Sequence, residues 1–245
     1  MRIPRMFYDG ILEVGRSVDL DKEQVHYLGR VLRLKPERQL VLFNGLGGEY
    51  LCQISNLDTK QGVISVLVFQ DPHTESPLNI CLALGLSKGY KFDWAIQKAT
   101  ELGVTSIQPL TSQRTEVRLV GDRLEKKLCH WQGVIRSATE QSGRTRVPDL
   151  LAPLSISEYL GKDEAKCKLL LDPEASVSLS ENEQLLRGAS SVSLVVGPEG
   201  GLDEQEIGLA KSQGYLCTHM GPRVMRTETA PIAALAVIQS HVGGW

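Results

Sequence analysis

The chain has 245 residues, 42% hydrophobic and 23% charged, with a formal net charge of −2; that balance excludes a disordered polypeptide and leaves enough apolar mass for one large core or two smaller ones. No apolar run is long enough to span a membrane, and the opening "MRIPRMFYDG" is charged from its second residue, so no membrane segment or export signal is expected and the chain is read as cytoplasmic. Five scattered cysteines, never spaced C-x-x-C, point to reduced thiols rather than a disulfide framework or a zinc site, and no metal is expected.

From the N-terminus to about residue 70 the grammar is that of strands. A short helix is expected between Asp21 and Arg33, where Val25, Leu28 and Leu32 share a face. The runs "QLVLFNG", "EYLCQIS" and "GVISVLVF" follow, separated by the turn compositions "NGLGG" and "NLDTKQG". Several short strands with one helix predict a small β-barrel or sandwich over residues 1–72. The segment 73–79, within the proline-containing stretch "DPHTESPLN", reads as a linker.

Over 80–245 strands and helices alternate. Strands are predicted at 79–84, 104–110, 168–172, 191–197 and 215–221, and helices at 92–102, 122–142, 155–160, 180–187 and 203–213. The longest helix places Leu124, Leu128, Trp131, Ile135 and Ala138 on one stripe. This alternation predicts an α/β domain with a parallel sheet covered on both faces. A last helix, Ala230 to Val242, is polar only at Gln239, Ser240 and His241. One face would stay wet if it merely lay on a sheet, and a second subunit is the simplest cover.

Charge is uneven along the chain. Residues 84–146 carry eleven Lys and Arg against six Asp and Glu, whereas 147–213 carry five against twelve. A basic block suits a polyanion, although a solvated helix face has the same composition.

In an open parallel sheet, ligands bind beyond the carboxyl ends of the strands. Three loops in that position are distinctive: "DPEAS" (172–176), "GPEGGL" (197–202) and "GPRVMRTETA" (221–230). Neither G-x-G-x-x-G nor G-x-x-x-x-G-K-[ST] occurs, and Glu199 and the acidic "LDEQE" oppose a polyphosphate. A cationic or zwitterionic ligand with a flat base, held by backbone groups, suits these loops better.

The pair "VVGPEGGLDEQE" and "MGPRVMRTETAP", with "KGYKFDWAIQKATELGV", "EQSGRTRVP", "MRIPRMF" and "HYLGRVLRLK", resembles the ribosomal RNA small-subunit methyltransferase E family of the SPOUT superfamily, along essentially the whole chain. The resemblance implies a PUA-like β-barrel RNA-binding domain followed by an α/β methyltransferase domain with a deep trefoil knot. It also implies a homodimer formed through the C-terminal domain and methyl transfer from S-adenosylmethionine to N3 of one uridine in 16S rRNA of the small ribosomal subunit.

The cofactor residues so implied are Leu171, Asp172 and Pro173 in the first loop, and Val196, Gly197, Pro198, Glu199, Gly200 and Gly201 in the second. The third contributes Met220, Gly221, Val224, Met225 and Thr229. Methyl transfer from a sulfonium is an in-line displacement that needs alignment and no metal. Uridine N3 carries a proton at neutral pH, so a base or an anion-stabilising cation is needed. Arg226 is the candidate for orienting the base and Glu228 for accepting the proton, with Glu199 as a rival and a helix-start role for Glu228 as the structural alternative.

Phosphate contacts are expected from Arg2, Arg5, Arg30 and Arg33 in the small domain and from Lys88, Lys91, Arg114, Arg144 and Arg146 in the basic block. Phe7, His26 and Tyr27 are either stacking or core aromatics. A non-catalytic rRNA-binding or assembly factor and a nucleotide-dependent oxidoreductase remain as alternatives, and the missing dinucleotide fingerprint counts against the second.

Overall fold

In the computed structural model, which describes residues 3–242, the alternating runs of the first seventy residues pair into one five-stranded sheet. Its members are β1 (Arg5–Phe7), β2 (Ser17–Asp19), β3 (Gln39–Phe43), β4 (Glu49–Leu57) and β5 (Gly62–Gln70), ordered β1-β3-β4-β5-β2. β3, β4 and β5 form an antiparallel meander, and β1 joins β3 in parallel. Inward residues such as Leu40, Leu42, Cys52, Ile54 and Ile64 are fully buried and make the core of this unit.

The expected single helix at 21–33 is two pieces. Asp21 caps α1 (Lys22–His26) with a reciprocal Gln24 bond. A π-helical turn then runs over Tyr27–Val31, closed by the Leu32 N–H donating to the Tyr27 carbonyl at 2.9 Å. The wider turn accompanies Val25 and Leu28 both facing the core, and the segment leaves through Arg33 at φ 53°. That left-handed value is uncommon for a residue with a Cβ.

The chain divides into two compact units, and the division is not a simple cut near residue 75. The first unit runs to Thr74 and also takes in Thr139–Val147; the second comprises Glu75–Ala138 and the chain from Pro148 onward. The sequence division placed 139–147 wholly with the second domain. Arg5 explains the difference. Its guanidinium lies 4.5 Å from the Phe43 ring centroid, pairs with Glu49 at 2.8 Å and donates to the carbonyls of Thr139, Glu140 and Arg144 at 3.2, 3.1 and 2.9 Å. The Phe7 N–H adds a bond to the Glu140 carboxylate at 2.8 Å.

In the second unit the apolar runs become parallel strands. The elements are β6 (Asn79–Gly85), α2 (Lys91–Glu101), β7 (Ser106–Thr111), α3 (Asp122–Ser142), β8 (Asp149–Leu150), β9 (Leu154–Ser155), α4 (Ile156–Lys162) and β10 (Cys167–Leu171). They continue with β11 (Val177–Ser178), a 3₁₀ turn (Leu179–Asn182), α5 (Glu183–Arg187), β12 (Ser191–Val196), α6 (Glu204–Ser212), β13 (Leu216–His219) and α7 (Thr229–Val242). The sheet order is β11-β13-β10-β12-β6-β7-β8, with β9 beside β7, and every pairing is parallel. Central strands read as near-continuous apolar runs because both faces are covered: Leu82, Leu169, Leu194 and Val195 have no exposed surface.

α7 packs on α2 and α5. It buries Ala234, Leu235 and Ile238, and leaves Ile232, Ala233, Ala236 and Val237 partly exposed. Its buried Gln239 donates to the Leu102 carbonyl at 2.8 Å and accepts from the Ser76 hydroxyl at 2.9 Å.

Candidate functional site

β13, β10 and β12 are adjacent in the sheet, so the loops after their carboxyl ends meet over one edge. They enclose a cavity of about 160 Å³. Leu171, Asp172 and Pro173 line it from the first loop, Gly197, Pro198, Glu199 and Gly201 from the second, and Met220, Gly221, Val224 and Met225 from the third. Val196, Gly200 and Thr229, expected with them, do not line it. Val196 is buried as the last residue of β12, Gly200 directs its carbonyl to Arg114, and Thr229 begins α7.

Sequence reasoning missed Thr218, His219, Arg223, Thr227 and Ala230, which also form the wall. Thr218 and His219 are strand residues, hidden inside an apolar pattern. The Thr218 hydroxyl is fully buried and has no partner among the described residues. His219 Nδ1 accepts from the Gly221 N–H at 2.9 Å, fixing the entrance to the third loop, where Gly221 adopts φ 92°.

The second loop is held from three sides. Gly85 ends β6 beneath it, and a Cβ there would stand 2.4 Å from the Pro198 nitrogen. Glu199 accepts from the Lys88 N–H at 3.2 Å and from Lys91 Nζ at 3.1 Å. Burial pushes the Glu199 carboxyl upward, but its own backbone N–H, the Lys91 ammonium and the Lys88 N–H outweigh that and hold it below the usual carboxylate range. The Arg114 guanidinium donates to the Gly200 carbonyl at 3.0 Å. Buried Glu206, in the capping box of α6, accepts from the Gln113 N–H at 2.9 Å and so fixes the loop that carries Arg114.

Arg226 and Glu228 lie at the end of the third loop, outside the cavity wall. Arg226 is exposed, and its carbonyl accepts from the N–H groups of Thr229 and Ala230 as α7 begins. Glu228 is 8% exposed, and its Oε2 is buried with no partner among the described residues.

The basic candidates separate into three groups. Arg30, Arg33 and Arg146 are exposed on the first unit. Lys88, Lys91 and Arg114 are tied to Glu116, Glu199 and the Gly200 carbonyl. Arg5 and Arg144 correct the expectation: Arg144 is 4% exposed and the Arg5 side chain 10%, so both act inside the unit rather than on a phosphate at its surface. Arg2 lies outside the described residues. Phe7 packs edge-on against Phe43, whereas His26 and Tyr27 are exposed. Among the described residues no group of three His, Cys, Asp or Glu is placed to hold a metal ion, and no helix is long and apolar enough to cross a membrane.

A parallel sheet with three loops over one edge thus follows a small β unit along the chain, two parts of different architecture. Family models agree: residues 74–239 match the RNA methyltransferase domain, and residues 20–67 match the RNA methyltransferase PUA domain. The chain belongs to the ribosomal RNA small subunit methyltransferase E family. A relative of that name from Buchnera aphidicola subsp. Schizaphis graminum is 32% identical over 99% of this chain and 98% of its own. The one from Bacillus subtilis is 31% identical over 93% and 91%.

Two solved structures are similar throughout. The Neisseria gonorrhoeae enzyme of the same name, bound to S-adenosyl methionine, is 36% identical with a TM-score of 0.92, and 98% of each chain is covered. A Legionella pneumophila methyltransferase in complex with the cofactor SAM is 35% identical with a TM-score of 0.93, again over 98% of both chains.

Proposed function

We propose that this protein transfers a methyl group from S-adenosylmethionine to N3 of one uridine in the 16S rRNA of the small ribosomal subunit. The observation that carries the reading is one cavity built by three neighbouring loops, in a chain alike along its length to methyltransferases solved with that cofactor.

The lining suits the donor. Leu171, Val224, Met220 and Met225 offer apolar surface to a flat base, and the glycines of the second and third loops bring backbone amides and carbonyls close. Asp172 and Glu199 supply negative charge beside the cavity, which favours a cation or zwitterion over a polyphosphate. The Thr218 hydroxyl, without a partner among the described residues, is a polar group of the kind a ligand satisfies. When bound, S-adenosylmethionine supplies an electrophilic methyl group on a sulfonium that leaves as a neutral thioether.

The chain's own task is then to align the acceptor and manage the N3 proton. Glu228 takes that proton, and Arg226 stabilises the charge that develops on the uracil oxygens. Glu228 is preferred to Glu199 because Glu199 is committed to Lys88 and Lys91 and held below the usual carboxylate range, a poor state for a base. The buried Oε2 of Glu228, without a partner among the described residues, is costly unless the working complex gives it one.

The reading includes a homodimer through the C-terminal domain, supported by the partly exposed Ile232, Ala233, Ala236 and Val237 of α7. It also includes the family's trefoil knot and a cytoplasmic location, where small subunits are assembled. Mass spectrometry of 16S rRNA nucleosides tests the activity. A deletion strain should lack one N3-methyluridine, and complementation should restore it; an unchanged level in the deletion strain overturns the proposal.

A further inference from the structure

α3 has two working stripes. Leu124, Leu128, Trp131 and Ile135 turn inward, with Trp131 and Ile135 buried. On the flank beside it Arg123, Lys127 and His130 repeat at spacings of four and three, with Lys126 next to them. We propose that this outward stripe is a phosphodiester-binding surface for the substrate RNA, set apart from the three loops of the cavity.

The stripe is braced from α2 by one side chain. Asp93 Oδ2 lies 2.6 Å from His130 Nε2, and Asp93 Oδ1 accepts from Trp131 Nε1 at 2.9 Å. The same Oδ1 is 3.8 Å from Lys127 Nζ, which also sits 5.7 Å from the Trp131 ring centroid. A single carboxylate therefore holds the indole, the imidazole and the ammonium in fixed relation, which lowers the ordering cost of binding.

Arg123 and Lys126 are different. Both are exposed, and neither has an ion-pair partner among the described residues. Asp122 precedes Lys126 by one turn, the spacing at which a solvated face forms ion pairs, yet the two do not pair. Arg123, Lys126, Lys127 and His130, with Asp93 and Asp122, wall a shallow concavity. A polyanion fits it by charge. The Trp131 indole beneath the stripe is buried and the His130 ring is held by Asp93, so the contact expected is to backbone phosphates rather than bases. None of these residues lines the loop cavity.

The inference rests on the rRNA reading above, and the test separates the two. The probe is 16S rRNA extracted from cells lacking this enzyme, with affinity measured by filter binding over a range of salt. Arg123→Ala combined with Lys126→Ala should weaken binding about tenfold at low salt and reduce the slope of log K against log salt by about 2. Melting temperature and S-adenosylmethionine affinity should match wild type. The charge-keeping pair Arg123→Lys and Lys126→Arg should restore the slope. An alanine variant equal to a methylating wild type in affinity and slope overturns this surface alone. A wild type that neither binds nor methylates the rRNA overturns the functional reading as well.

Discussion

Gly85 and Pro198 face each other at a distance that admits no side chain: a Cβ on Gly85 would meet the Pro198 nitrogen at 2.4 Å and the Gly197 carbonyl carbon at 2.7 Å. Backbone, not a flexible tip, is what would have to move. Gly85→Ala should therefore destabilise the protein by about 1–3 kcal/mol. It should also weaken cofactor binding, because the displaced segment is the second cavity loop. A calorimetric titration giving wild-type affinity would contradict this.

Arg5 is shared by Glu49 and three backbone carbonyls. Arg5→Ala leaves a largely buried carboxylate unpaired, which costs about 3–5 kcal/mol. Arg5→Lys should recover only part of this, since an ammonium cannot span the same acceptors. Urea unfolding of the three proteins measures both effects. A lysine variant as stable as wild type would show that charge, not the planar fork, is what matters.

Glu199 makes the second loop sensitive to acid in a defined direction. Its folded pKa lies below its unfolded value, so its contribution is complete above the ordinary carboxylate range and is lost as pH falls through the lowered folded value. Glu199→Gln should melt below wild type at pH 7, and the gap should close as the pH drops below about 4. A gap that stays constant from neutral to acid pH would assign the effect to packing.

Glu228→Gln should lower methyl-transfer turnover by about 100-fold or more while leaving donor affinity unchanged, if the carboxylate accepts the N3 proton. Near-normal turnover by the variant would leave Glu228 with a helix-start role only.

Thr218→Val replaces a buried hydroxyl that has no partner among the described residues with a methyl group of similar shape, on a strand that favours β-branched residues. The ligand-free protein should gain about 1 kcal/mol. A urea midpoint that rises at constant m-value checks it; a falling midpoint would mean that the hydroxyl has a partner in solution.

The five longer parallel strands and the three cavity loops were legible in the sequence because each is set by neighbours along the chain, whereas β8, β9 and β11, two residues each, left no pattern. Apolar runs such as "NICLAL" and "SVSLVVG" need only be covered on both faces, and Gly-Pro loops mark their own turns. β1 and β2, three residues each, are too short for any alternation to register. The π-helical turn at Tyr27–Val31 hides within an ordinary helical spacing. Arg5 reads as a surface cation because its acceptors lie 134 to 139 residues away, and no local pattern reports such a distance. Thr218 and His219 escaped for the opposite reason: the strand pattern explained them fully, and their second role at its end left no separate trace.

The clasp of Arg5 on residues 139–144 also sets an order of events during synthesis. The five strands of the first unit are complete in the chain once residue 70 is made, yet the carbonyls that fix β1 do not exist until about twice that length has been translated. The leading strand must wait, paired through β3, while β6, β7 and most of α3 are being made. A nascent chain whose residues 139–147 have not yet emerged from the ribosome should therefore expose its first strand to protease, and one in which they have emerged should protect it.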